Sequence, residues 1–147
     1  MIEIVNLKKS FRENPILRGV TLSIRRGETL VVIGRSGCGK TVLLKHIIGL
    51  LKPDEGEVIV DGLRVSRASR SQLYEMRMKF GMVFQGSALF DSMTVAENVG
   101  LSLREHTRLT DDEIVHRVKE KLSLVGLDGV EALKPAELSG GMKKRVA

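Results

Sequence analysis

The sequence has no tryptophan, one tyrosine and four phenylalanines, so aromatic residues make up only 3% of its 147 positions. That scarcity points away from a stacking surface for single-stranded nucleic acid and from an aromatic membrane belt. A single cysteine, Cys38, excludes an internal disulfide and suits a reducing compartment. Apolar runs fall far short of the roughly 18 residues of a membrane span, and the chain opens on the strand-like Ile2-Glu3-Ile4-Val5 rather than on a signal segment. The expectation is a soluble protein that reaches a membrane only through a partner. Histidine is also sparse: His46 on a helix, His106 in a loop and His116 on a second helix lack metal-ligand spacing and read as structural. The net charge of +6 is spread along the chain, which a solvated surface explains as well as an acidic partner does, and no nucleic acid is expected. The length allows one domain with a real core, or part of one.

What is present centres on Gly34-Arg35-Ser36-Gly37-Cys38-Gly39-Lys40-Thr41, which matches G-x-x-x-x-G-K-[ST] at every fixed position. The preceding Thr29-Leu30-Val31-Val32-Ile33 is short, β-branched and apolar without alternation, as a strand buried on both faces should be. Val42, Leu43, Leu44, Ile47, Ile48 and Leu51 then recur at helical spacing. Strand, glycine loop and helix in that order turn backbone N–H groups inward and add the helix's positive end. A polyphosphate suits such a loop. Lys40 has the charge and reach for β- and γ-phosphate oxygens, and the Thr41 hydroxyl suits Mg²⁺, a hard ion commonly shared with a nucleotide. A nucleotide with its Mg²⁺ is therefore the expected ligand. Cys38 reads as a small residue tolerated at a variable position.

Along the rest of the chain, residues 20–24 alternate as a strand, and Asn14-Pro15 and Arg26-Gly27-Glu28 are turn-like. Phe11 stands alone between Ser10 and Arg12; it suits stacking on a purine, and equally a fold onto the sheet edge. Glu57-Val58-Ile59-Val60 and Leu63-Arg64-Val65 flank Asp61-Gly62, a two-residue hairpin signal. Residues 67–78 are polar and helix-compatible, and lead to a second buried run, Phe80-Gly81-Met82-Val83-Phe84, ending at Gln85. Thr94 with Glu97, and Thr110 with Glu113, form capping boxes; after the second, Ile114, Val118, Leu122 and Val125 mark a helix face that Gly126 stops. Beyond Pro135 comes Leu138-Ser139-Gly140-Gly141-Met142, followed by Lys143-Lys144-Arg145.

A phosphate loop, a strand ending in Gln85, a helical insert and then LSGG resemble the ATP-binding cassette (ABC) family of transporter ATPases over the whole chain. The resemblance implies an α/β P-loop NTPase fold: residues 1–86 a core lobe with an antiparallel β edge, 87–140 a helical subdomain and 138–142 the signature. It implies that Phe11 stacks on adenine, that residues 34–42 (Gly34, Arg35, Ser36, Gly37, Cys38, Gly39, Lys40, Thr41 and Val42) hold the phosphates, and that Gln85 senses the γ-phosphate and Mg²⁺. Ser139, Gly140 and Gly141 match the signature that caps ATP held by the other protomer. The chemistry of that last role has its own logic, since a serine and two glycine N–H groups opening a helix make a second anion-binding terminus. One γ-phosphate already held by Lys40 leaves a partner's nucleotide as its target, hence a twofold dimer. The alternative for Ser139 is an ordinary N-cap.

A finer resemblance, carried by residues 84–95, Leu103-Arg104-Glu105-His106-Thr107 and Met142, is to the branch serving Mla and Mce-type lipid transport. It implies a second ATPase subunit, a membrane permease and an Mce-domain protein as partners, a phospholipid or other hydrophobic cargo, and a place on the cytoplasmic face of the inner membrane. Val42 departs from the hydroxyl residue common after the loop lysine. The family's magnesium-binding Asp, catalytic Glu and switch His are expected beyond Ala147, so no catalytic residue is assigned within the chain. These 147 residues are expected to bind ATP without turnover, with strand edges left open. Rival readings are a soluble cassette protein without a permease, and a nucleotide-binding module that does not turn over.

Overall fold

The computed structural model describes all 147 residues and resolves into two compact units, Met1–Gly81 and Met82–Ala147. The first unit holds four strands: β1 (Ile2–Phe11), β2 (Asn14–Ile24), β3 (Glu55–Val60) and β4 (Leu63–Arg64). They form one antiparallel sheet in the order β2-β1-β3-β4. Helices α1 (Lys40–Ile47) and α2 (Arg70–Arg77) complete the unit. Ile4, Leu7, Leu17, Val58 and Val60 from the sheet pack with Leu43 and Ile47 of α1 and Met76 of α2. The Asp61-Gly62 hairpin forms as expected, with φ of 46° and 83° matching the twisted two-residue turn that glycine and aspartate tolerate.

β1 carries a bulge that the alternation did not foretell. Its register slips between Val5 and Lys8 against β3, and Asn6 takes a left-handed φ of 47° while its N–H turns to Thr21 Oγ1 at 2.9 Å. Gly56 of β3 (φ 81°) sits against this bulge, where an added Cβ would overlap the Asn6 carbonyl oxygen.

Two expectations are corrected. Residues 29–33 and 80–84 were expected as buried strands, but neither run is a strand here. Val31 is 73% exposed, Ile33 91% and Val83 69%. An apolar strand is held by neighbours that take up its backbone bonds and cover its faces. All the paired strands belong to the antiparallel sheet, and neither segment is one of them.

His46 on α1 is buried, with Nδ1 at 2.7 Å from the Val42 carbonyl, so the N–H sits on Nδ1 and Nε2 faces the core without a partner. Its role is packing, as its spacing suggested.

The second unit is helical: α3 (Val95–His106), α4 (Asp111–Leu124) and α5 (Gly140–Val146). Both anticipated capping boxes are made, with the Glu97 carboxylate accepting from Thr94 N–H and that of Glu113 from Thr110 N–H, each at 2.7 Å. His106 proves to be the last residue of α3, not a loop residue; the helix runs on until Thr107 leaves helical geometry and its hydroxyl donates back to Leu103 O. Gly100 lets α3 approach α4, since a Cβ there would stand 3.1 Å from Ile114 and 3.4 Å from Val118. Ile114, Val118 and Leu122 are buried with Val95, Leu127 and Leu138, whereas Val125 lies past the helix end and is half exposed, because the chain already turns toward Gly126 (φ 66°). Arg145 of α5 donates to Val125 O and Gly126 O, fastening α5 to the end of α4.

The two capping carboxylates give this unit an acid dependence. Glu97 and Glu113 titrate below the usual glutamate range, first because backbone N–H groups of Thr94 and Thr110 favour the ionised form. A carboxyl whose folded pKa is lowered adds stability above the unfolded glutamate range, and that stability is lost as pH falls through the folded value. Thermal melts followed by circular dichroism between about pH 2 and 7 should therefore drop on the acid side. The pair Glu97→Gln and Glu113→Gln, which keeps a capping acceptor, should flatten that drop; an unchanged acid slope would assign it elsewhere.

Candidate functional site

The loop at residues 34–39 and the first turn of α1 form a concentration of donors. Gly37 and Gly39 take left-handed φ of 79° and 101°, which a β-carbon disfavours. At Gly39 the constraint is doubled: a Cβ would stand 2.9 Å from Ile16 Cγ2 and 3.0 Å from Leu17 Cδ2, so β2 backs the loop directly. Cys38 N–H donates to Arg35 O at 3.3 Å and closes the turn. The Lys40 ammonium lies inside it, donating to Gly34 O at 2.7 Å and Arg35 O at 2.8 Å, with the exposed Cys38 thiol 3.7 Å away. Ser36 and Thr41 are exposed, while Val42 turns its side chain into the core beneath.

The first-turn N–H groups of Lys40, Thr41 and Val42 have no acceptor within their own helix. No side chain caps α1, and its first turn carries no acid. Unpaired amides, a positive helix end and an ammonium fit an anion with several oxygens. No cluster of three or more histidine, cysteine or carboxylate ligands is present. A divalent ion here would take its oxygens from Thr41, from phosphate and from water, which is how Mg²⁺ is commonly held. The residues present thus fit a magnesium-bound triphosphate.

Phe11 ends β1 opposite Asn14 and is 45% exposed. Lys9 Nζ stands 5.8 Å from the ring centroid. Lys9 was not singled out from the sequence, although strand alternation puts positions 9 and 11 on one face. Lys9 also pairs with Asp54 at 2.6 Å; this bond and the Ser10 N–H hold the Asp54 carboxyl below its usual range.

The remaining candidates lie in the second unit. Gln85 is exposed in the turn after residues 80–84. Ser139 caps α5, its hydroxyl accepting from Met142 N–H at 3.3 Å, with Gly140 and Gly141 exposed in the first turn. The N-cap geometry is therefore present. Phe11 and residues 34–42 share one unit; Gln85 and Ser139, Gly140 and Gly141 share the other.

A sequence model of the ABC transporter family matches residues 17–147. Among curated relatives, the chain is 49% identical over 144 residues to the probable ribonucleotide transport ATP-binding protein mkl of Mycobacterium tuberculosis, covering 98% of this chain and 40% of that protein. It is 43% identical over 147 residues to the intermembrane phospholipid transport system ATP-binding protein MlaF of Haemophilus influenzae, covering 100% of this chain and 56% of MlaF. Among solved structures, it superposes with a TM-score of 0.91 on the dimeric post-hydrolysis state of the ATP-binding cassette MJ0796 bound to ADP and Pi, at 34% identity over 99% of this chain and 66% of that one. The chain thus spans about half the length of the curated relatives it matches.

Proposed function

This chain belongs to the ABC transporter family, and from that premise we propose that it binds Mg-ATP at residues 34–42 and serves as the ATP-binding part of a lipid-transporting assembly. The observation that carries the reading is the Lys40 ammonium held inside a glycine turn, at the foot of a helix whose first amides are unpaired. Lys40 and the first-turn amides hold the β- and γ-phosphates, Thr41 offers its hydroxyl to Mg²⁺, and the Phe11 ring stacks on the adenine. Val42 contributes its backbone N–H only. A bound Mg²⁺ supplies charge neutralisation on the transferring phosphoryl oxygens. Gln85 reports the γ-phosphate and metal to the rest of the assembly. Ser139, Gly140 and Gly141 close over ATP bound to a second subunit, an arrangement supported by the dimeric state of the MJ0796 relative.

Residues 1–86 act as the nucleotide lobe, 87–140 as the helical subdomain and 138–142 as the signature. No residue of these 147 is assigned to activating water in this reading. The chain by itself binds ATP without hydrolysing it. No helix is long and apolar enough to cross a membrane. In this reading a permease partner holds the chain at the cytoplasmic face of the inner membrane, and the cargo passes to an Mce-domain partner. MlaF's description as the ATP-binding protein of an intermembrane phospholipid transport system supports a phospholipid cargo, as does the resemblance carried by residues 84–95 and 103–107; mkl carries a ribonucleotide transport description.

Calorimetric titration of the chain with ATP, ADP and AMP, with and without Mg²⁺, tests the core of this reading. Saturable binding that weakens from ATP to AMP and depends on Mg²⁺ is expected, with no phosphate released. Equal affinity for AMP and ATP would remove the phosphate loop from the account, and steady phosphate release would overturn the absence of turnover.

A further inference from the structure

Helix α1 has two ends, and only one of them faces the phosphate loop. At its far end a glycine turn satisfies two carbonyls: Leu50 N–H donates to Lys45 O at 2.8 Å and Gly49 N–H to His46 O at 3.0 Å, with Gly49 at φ 70°. The next carbonyls are taken by α2. Arg77, the last residue of that helix, donates from Nε to Ile48 O at 2.9 Å and from Nη2 to Gly49 O at 2.8 Å. Gly49 is what allows the approach, because a Cβ there would lie 3.0 Å from both Leu73 of α2 and Val65. A planar guanidinium thus bridges consecutive carbonyls at the negative end of the phosphate-loop helix.

From this geometry we propose that Arg77 is a positioning residue for Lys40 and Thr41, acting through α1. The inference rests on the reading that residues 34–42 hold a triphosphate. Helix α1 has eight residues, a length of only about 12 Å, so a shift at Gly49 reaches Lys40 with little loss. The first turn of α1 is held by no side-chain cap, which leaves its direction to core packing and to the clamp at its other end. Arg77 contributes twice: its two donors fix where the helix ends, and its charge complements the dipole whose opposite pole meets the phosphates. A lysine keeps the charge but not the fork.

Affinity for Mg-ATP, measured by calorimetry on the full 147-residue chain well below its melting temperature, separates positioning from stability. Arg77→Met is expected to weaken binding roughly fivefold and Arg77→Lys roughly twofold. Leu122→Ala, a core substitution on α4 in the second unit, supplies a loss of melting temperature without touching the core that holds α1 and should leave affinity unchanged. Should Arg77→Met fail to fold, the graded loss from wild type through Arg77→Lys to Arg77→Gln carries the test. Wild-type affinity in folded Arg77 variants, or an equal loss in Leu122→Ala, overturns the positioning role while leaving the nucleotide reading intact. Absence of Mg-ATP binding by the unsubstituted chain overturns that reading, and this inference with it.

Discussion

Lys40→Ala is expected to weaken Mg-ATP binding on the order of a hundredfold while leaving the sheet folded. The ammonium is the one side-chain cation inside the turn, and it already donates to Gly34 O and Arg35 O. Its removal deletes a charge-assisted contact to phosphate and frees the loop that shapes the amide cradle, together about 2–3 kcal/mol, which is the hundredfold. The core of the unit is untouched, because the buried cluster draws on Leu43 and Ile47 of the same helix and not on Lys40. Fluorescence titration with a labelled ATP analogue measures the loss, and an unchanged melting curve shows that it is not unfolding. If the substituted chain bound as tightly as the original, the phosphates would have to be held elsewhere.

The second large effect is on folding. Gly56→Ala is expected to destabilise the first unit by about 3 kcal/mol or more, a large share of the ~5–15 kcal/mol typical of a domain. Gly56 has φ 81°, where a β-carbon is strained, and that carbon would overlap the Asn6 carbonyl at the β1 bulge. No side chain can swing aside, since the obstacle is backbone, so β1 and β3 would have to part near Lys8 and Glu55. Chemical denaturation measures the loss. Gly62→Ala is a useful comparison: it shares a positive φ of 83° but meets nothing within 4 Å, and should cost only about 1 kcal/mol. Equal losses at the two positions would show that backbone strain alone, and not the bulge contact, sets the cost.

The capping boxes at Thr94 and Thr110, the Asp61-Gly62 hairpin and the phosphate loop were legible in the sequence for a common reason. Each is decided within a few residues by backbone conformation and local hydrogen bonding, so the information is contiguous. The burial of Ile114, Val118 and Leu122 was legible because helical periodicity projects them onto one face. Arg77 was not legible, since its acceptors at Ile48 and Gly49 lie 29 and 28 positions away and nothing in its neighbourhood announces them. The bulge at Asn6 was hidden likewise, because it is set by pairing with β3 about fifty residues on.

By itself the sequence determined the family, the two capping boxes and the Asp61-Gly62 turn, because contiguous motifs and short-range hydrogen bonds carry these. Only the tertiary structure decided which apolar runs were covered. Residues 29–33 are as β-prone as any in the chain, yet Ile33 is 91% exposed while Ile4 is buried. A strand's burial belongs to the neighbours that pair with it, and those cannot be read from the strand's own residues.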